Sequence, residues 1–129
     1  MKITTFKQKT TSLFQRIDNM SADDIEQIVK DHVLSCLPEL CIIDIILSGS
    51  RCRHRETNNS DIDIILYYNG NEREDDLFNI LHDEEITING IPVDINPISS
   101  KTTDIEYYLN NVERYLKEHQ DNLAVHKLR

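Results

Sequence analysis

Tryptophan is absent from the chain, and glycine, proline and cysteine occur only three times each in 129 residues. So little glycine and proline excludes collagen-like and low-complexity architectures. The cysteines, Cys36, Cys41 and Cys52, are odd in number. Their spacing fits neither a disulfide framework nor a C-x-x-C zinc knuckle, so free thiols, buried or half-buried, are expected. No apolar run approaches the roughly 20 residues that cross a bilayer. The opening stretch MKITTFKQKTTSLFQRI is basic, yet it lacks the continuous apolar segment and small-residue cleavage site of a signal peptide. These absences lead us to expect a cytoplasmic protein with no membrane attachment.

Positive charge is also scarce. Lys and Arg number 14 against 23 Asp and Glu, a formal charge of −9. A protein that grips a long polyanion carries a basic face, so nucleic acid is not the expected substrate. The one dense basic cluster is Arg51-Cys52-Arg53-His54-Arg55. What remains, 39% hydrophobic and 29% charged residues, is a globular composition. The length suits one domain over residues 1–129 with its own core.

Phe6, Leu13, Phe14 and Ile17 recur at helical spacing, which predicts a helix over about residues 5–18. Ser21 reads as an N-cap followed by Asp23 and Asp24, whose charges favour the positive end of a helix dipole. Ile25, Ile28, Val29, Val33 and Cys36 share one face of that helix, and Leu37-Pro38 ends it. Cys41–Leu47 is a β-branched apolar run and reads as a buried strand. After a polar connection with room for a helical turn, residues 61–68 form a second strand. On it Ile62, Ile64 and Leu66 share one face, while Asp61, Asp63, Ile65 and Tyr67 share the other. Leu77, Phe78, Ile80 and Leu81 predict a helix over about 72–82. Asn89-Gly90 between two β-branched stretches predicts a hairpin, because both turn residues tolerate positive φ. Ile105, Tyr108, Leu109, Val112 and Leu116 define a last amphipathic helix, for which Tyr107, Tyr108 and Tyr115 are read as packing residues. The sum is an α+β fold: a mixed β-sheet with helices packed on it.

Three features in this layout carry chemistry. Gly49-Ser50 ends the first strand, where glycine lets the backbone approach a ligand and the hydroxyl and neighbouring N–H groups can hold a phosphate. Ser60-Asp61-Ile62-Asp63 then opens the second strand, and side chains two apart on a strand share a face. Carboxylates about 4 Å apart repel by roughly 4 kcal/mol at an effective dielectric of 20. A hard divalent cation reverses that penalty. Asp94, the third feature, sits on the second strand of the hairpin with Asn96, opposite in facing to Val93 and Ile95. An acid between β-branched residues is disfavoured there unless something holds it. His32 and Cys36, four apart on one helix, have no partner motif and read as structural.

The succession LSGSRCRHRETNNSDIDIIL and then INGIPVDINPI resembles the polymerase-β-like nucleotidyltransferases, in particular their minimal forms, over residues 40–97. The resemblance implies that Gly49, Ser50, Arg51 and Ser60 hold the phosphates of a nucleoside triphosphate, ATP above all. It implies that Asp61, Asp63 and Asp94 bind two Mg²⁺ ions, with Asp94 helping to take the acceptor's proton. A nucleotidyl group, AMP in the first instance, would pass to a hydroxyl of a protein or small molecule. By the same resemblance, minimal members work with a separate helical partner such as a HEPN-type protein in a toxin–antitoxin pair. The competing reading is an inactive binding module that keeps the fold and docks that partner. Nucleic-acid end modification is a further reading that the charge of −9 opposes.

Overall fold

A computed structural model describes residues 2–14, 16–49 and 61–114. Its elements are α1 (Ile3–Leu13), α2 (Ala22–Cys36), β1 (Ile42–Ser48), β2 (Ile62–Tyr68), α3 (Glu74–Asp83), β3 (Thr87–Ile88) and β4 (Ile91–Ser99). A further helix, α4, covers residues 105–114. The strands form one mixed sheet in the order β1-β2-β4-β3. β2 runs antiparallel to β1 and parallel to β4, and β3 and β4 form an antiparallel hairpin. The expected α+β class with helices on a mixed sheet is what the chain adopts. Among the described residues, no helix is long and apolar enough to cross a membrane.

The alternation on β2 sorts the core into two layers. Ile62, Ile64, Leu66 and Tyr68 pack with Ile25, Val29 and Val33 of α2 and Leu77 and Leu81 of α3. Ile65, from the other face, packs with Ile46, Ile98, Phe6 of α1 and Leu109 of α4. The sheet is therefore covered on both sides, by α2 and α3 on one and by α1 and α4 on the other.

Local sequence explains most boundaries. Ser21 caps α2 in a reciprocal capping box: its hydroxyl accepts from the Asp24 N–H, and the Asp24 carboxylate accepts from the Ser21 N–H. The hairpin turn has Asn89 at φ 51° and Gly90 at φ 79°, as the Asn-Gly pair predicts. At the start of α4 the Asp104 carboxylate accepts the N–H groups of Glu106 and Tyr107.

Some expectations are corrected. The first helix ends at Leu13, not near 18. Phe6 belongs to the layer under α4, whereas Phe14 and Ile17 belong to the layer under α2. One straight helix cannot serve both sides of a sheet, so the chain turns. Asp18, at φ 53°, and Asn19 form a tight reversal closed by the Ile17–Met20 bridge. The first strand is an edge strand whose leading half is open, with Ile43 48% exposed at a β-bulge. Cys41 is exposed and Cys36 half-buried. Tyr107 is exposed, so it does not serve packing. His32 lies 3.3 Å from the Leu81 carbonyl and ties α2 to α3, which agrees with its structural reading. The possible helical turn within 51–60, Cys52, Tyr115 and Leu116 lie outside the described residues.

β4 runs to Ser99 through Pro97, and its outer edge shows why this is possible. In the parallel pairing, alternate residues turn their backbone groups away from β2. The Val93 N–H bonds the Ile86 carbonyl at 3.0 Å. The Ile95 N–H bonds His82 Nε2 at 3.2 Å, and the Ser99 N–H bonds the Glu74 carboxylate at 2.7 Å. Pro97 occupies the one position in this series that has no N–H to satisfy. Side chains of α3 thus seal the edge that the two-residue β3 leaves open.

Candidate active site

The register of the parallel ladder sets Asp63 of β2 directly beside Asp94 of β4. Register partners in a ladder project to the same face, here the face that carries α1 and α4. On the other side of β2, Ser48 at the end of β1 pairs with Asp63. The chain then turns at Gly49, whose φ is +78°. A Cβ placed on Gly49 would lie 1.9 Å from Asp63 Oδ2. Only glycine permits both this backbone conformation and this approach of the turn to the carboxylate.

These residues line a cleft of about 390 Å³ at one end of the sheet. Its floor is Ser48, Gly49, Asp63, Asp94 and Asn96, and its walls include Phe78 from α3 and Tyr108 and Asn111 from α4. Asn96 donates to the Tyr108 hydroxyl at 2.5 Å, which fixes α4 to the strand two residues past Asp94. Burial pushes the Tyr108 hydroxyl above its ordinary ionisation range. The charges of Glu74, Asp94 and Asp63 push the same way and the Asn96 hydrogen bond opposes them. Asp94 retains access to water, with 51% of its side chain exposed, and its Oδ1 lies 3.2 Å from His82 Nε2.

Of the residues singled out in the sequence, the structure brings Gly49, Asp63 and Asp94 together. Asp61 is exposed, one residue before β2, and is not among the residues lining the cleft. Ser50, Arg51 and Ser60 lie outside the described residues. Sequence reasoning missed His82, Asn96 and Asn111 in this neighbourhood, and it assigned Tyr108 to packing alone. Asn96 had a signal, since it shares the strand face of Asp94. A lone histidine in an amphipathic helix had none.

A family model described as polymerase beta, nucleotidyltransferase, matches residues 23–122. The chain belongs to the polymerase-β nucleotidyltransferase family. No curated protein and no solved structure gives a match. The matched span begins in the first turn of α2 and contains the whole sheet and α4. Membership in the polymerase-β nucleotidyltransferase family thus rests on the part of the chain that builds the cleft.

The donor chemistry of the cleft suits a divalent cation. Two carboxylates paired directly across strands destabilise each other by a few tenths to about 1 kcal/mol, and oxygen donors of this kind are what hard cations prefer. Gly49 supplies a cradle that any side chain would fill. Among the described residues, no group of three or more His, Cys, Asp or Glu side chains is arranged to hold a metal. Within this arrangement Asp63 and Asp94 offer two carboxylates, and a complete donor set calls on oxygens from a substrate or from water.

Proposed function

We propose that this chain transfers a nucleoside monophosphate, AMP from ATP, to a hydroxyl of a protein or small-molecule acceptor and releases pyrophosphate. The observation that carries this reading is the pairing of Asp63 with Asp94 in register, with Gly49 closed against Asp63 at the mouth of the same cleft. Asp61, Asp63 and Asp94 are the carboxylates assigned to Mg²⁺, and Gly49, Ser50, Arg51 and Ser60 are assigned to the triphosphate.

Bound magnesium would stabilise the charge on the entering and leaving oxygens of an in-line displacement at the α-phosphorus. The chain's own residues do the rest. The Gly49 turn, bare of a side chain, leaves room for phosphate oxygens against the backbone. Asp94 accepts the proton of the attacking hydroxyl as the new oxygen–phosphorus bond forms and the α–β phosphoanhydride bond breaks. Its exposure to water lets that proton pass on to solvent. Tyr108, whose ionisation burial pushes further up, adds a polar wall without adding charge.

The net charge of −9 favours an acceptor other than a nucleic-acid strand. By resemblance, a helical HEPN-type protein is the protein acceptor to try first. The test is incubation with Mg²⁺ and ATP labelled at either the α- or the γ-phosphate, using cell lysate as the source of acceptor. Label is expected on an acceptor from α-labelled ATP alone, and not with Asp63→Ala. Equal labelling by the wild type and Asp63→Ala, or no labelling together with no stabilisation by Mg²⁺ and ATP, contradicts the reading.

A further inference from the structure

The sheet has a second edge, opposite to the one that α3 seals. β1 is its terminal strand, and among the described residues no strand pairs with its outer side. An unpaired edge offers alternate N–H and C=O groups to any extended chain that reaches it. The residues on this edge add to the hazard. Ile42-Ile43-Asp44-Ile45-Ile46-Leu47 is strongly strand-forming, has no glycine or proline, and carries a single charge, that of Asp44. Short segments of this kind pair readily with their own copies. A hollow of about 320 Å³, lined by Lys7 of α1, Glu26 of α2 and residues 42–45, leaves the edge within reach.

Asp44 is tied down on this edge. Its Oδ1 accepts the Ile45 N–H at 2.9 Å. Alternate N–H groups of an antiparallel strand face opposite sides, so the one bonded to this carboxylate belongs to the outward set, with that of Leu47. The same oxygen accepts from Lys7 Nζ at 2.5 Å, and Lys7 lies 3.7 Å from Glu26 Oε2. Just before Asp44 the register shifts, and Ile43 stands 48% exposed at the bulge. A bulge and a fixed charge at consecutive positions are both features that spoil an edge for pairing.

We propose that Asp44, pinned by Lys7, is a guard that keeps β1 from pairing with β1 of a second copy of this chain. The proposal stands apart from nucleotidyl transfer. A second copy is the fitting partner because antiparallel pairing about a twofold axis lays two identical apolar runs side by side. Centred on residue 44, that pairing would also set two Asp44 carboxylates opposite each other, and like charges so placed destabilise a ladder. The guard therefore acts twice, by occupying the Ile45 N–H and by repelling its own copy.

The experiment compares the wild type, Asp44→Val and Asp31→Val, the last removing the same charge from an exposed position of α2 outside the hollow. Sedimentation equilibrium reads self-association, and amide hydrogen exchange reads where it occurs. In dilute solution the Ile45 amide should exchange about tenfold faster in Asp44→Val than in the wild type, the worth of one hydrogen bond. In concentrated solution Asp44→Val should dimerise at least about tenfold more tightly than the wild type or Asp31→Val, with the Leu47 amide newly protected. If Asp44→Val does not fold, Asp44→Asn keeps the shape, drops the charge and should associate in the same direction to a smaller extent. A folded Asp44 variant that associates no more than the wild type overturns the proposal, as does association that leaves Leu47 unprotected. Equal association by Asp31→Val, or a wild type already paired through β1, overturns it too.

Discussion

Asp63 and Asp94 come from strands 31 positions apart in the chain and meet as register partners across the β2–β4 ladder. Neither side chain selects this neighbour locally. The pairing is imposed by the two cores, since Ile62, Ile64, Val93 and Ile95 must face α2 and α3 together. A slip of one residue in β4 would bury Asp94 and expose Val93 and Ile95. Hydrophobic register thus brings like charges together, and the cleft inherits an electrostatic tension that the proposed cation would relieve.

The pair can be probed with and without substrate. Asp94→Asn removes one of the opposed charges, so in metal-free buffer its stability should stay within about 1 kcal/mol of the wild type in either direction. With Mg²⁺ and ATP added, the wild type should gain thermal stability and Asp94→Asn should not. Denaturation scans with and without Mg²⁺ and ATP check both halves.

Gly49→Ala should be harmful for two reasons that act together. A residue with a side chain held at positive φ loses about 1–2 kcal/mol, and the new methyl would displace the Asp63 carboxylate from where it now lies. Urea denaturation should show a loss of at least about 1 kcal/mol. The amide resonance of Asp63 should shift more than those of the distant turn at Asn89.

Much of this was legible in the chain. Asn89-Gly90 predicted its turn, Ser21 predicted its cap, and the alternation along residues 61–68 predicted which side chains enter which layer. These are local rules, settled by residues within a few positions of each other. The break of α1 at Leu13 was not legible, because Phe14 and Ile17 keep helical spacing and only the far layer of the sheet calls them away. The open edge of β1 was hidden for a similar reason, as an apolar run does not say which strand lies beside it. His82 is the clearest case. Its contacts with Ile95 and Asp94 exist only because α3 lies along the β4 edge.

Glu26 offers a test by pH. Burial raises its carboxyl above the ordinary glutamate value of 4.5, more than Lys7 lowers it, and Glu26 Oε1 is buried without a partner. Lys7 is itself raised although burial opposes this, because Asp44 and Glu26 hold its charge. The closer partner is Asp44, at 2.5 Å against 3.7 Å for Glu26, so Lys7–Asp44 is the effective ion pair. A carboxyl raised on folding contributes stability at low pH and loses it as pH rises through its folded value. The stability difference between the wild type and Glu26→Gln should therefore move in favour of the wild type as pH falls from neutral towards 4.5. Paired urea titrations at several pH values give the answer.

Ser21→Ala should cost about 1 kcal/mol through loss of the α2 cap. The opposite pH sign applies to its partner. The Ser21 backbone N–H, followed by its hydroxyl, holds the Asp24 carboxyl below its ordinary value. The stabilisation from Asp24 is present above that ordinary value of 3.8 and fades as pH falls through the lowered one. Carbon-detected titration of Asp24 should show its midpoint move up in Ser21→Ala.

The most direct measurement is paramagnetic broadening of the protein's amide resonances by Mn²⁺ in the presence of a non-hydrolysable ATP analogue. Gly49, Asp63 and Asp94 should lose intensity first, at Mn²⁺ well below one equivalent, while Asn19 and the distant turn at Asn89 keep theirs. Broadening centred on the Lys7, Glu26 and Asp44 hollow instead, or spread evenly over the acidic surface, would contradict this.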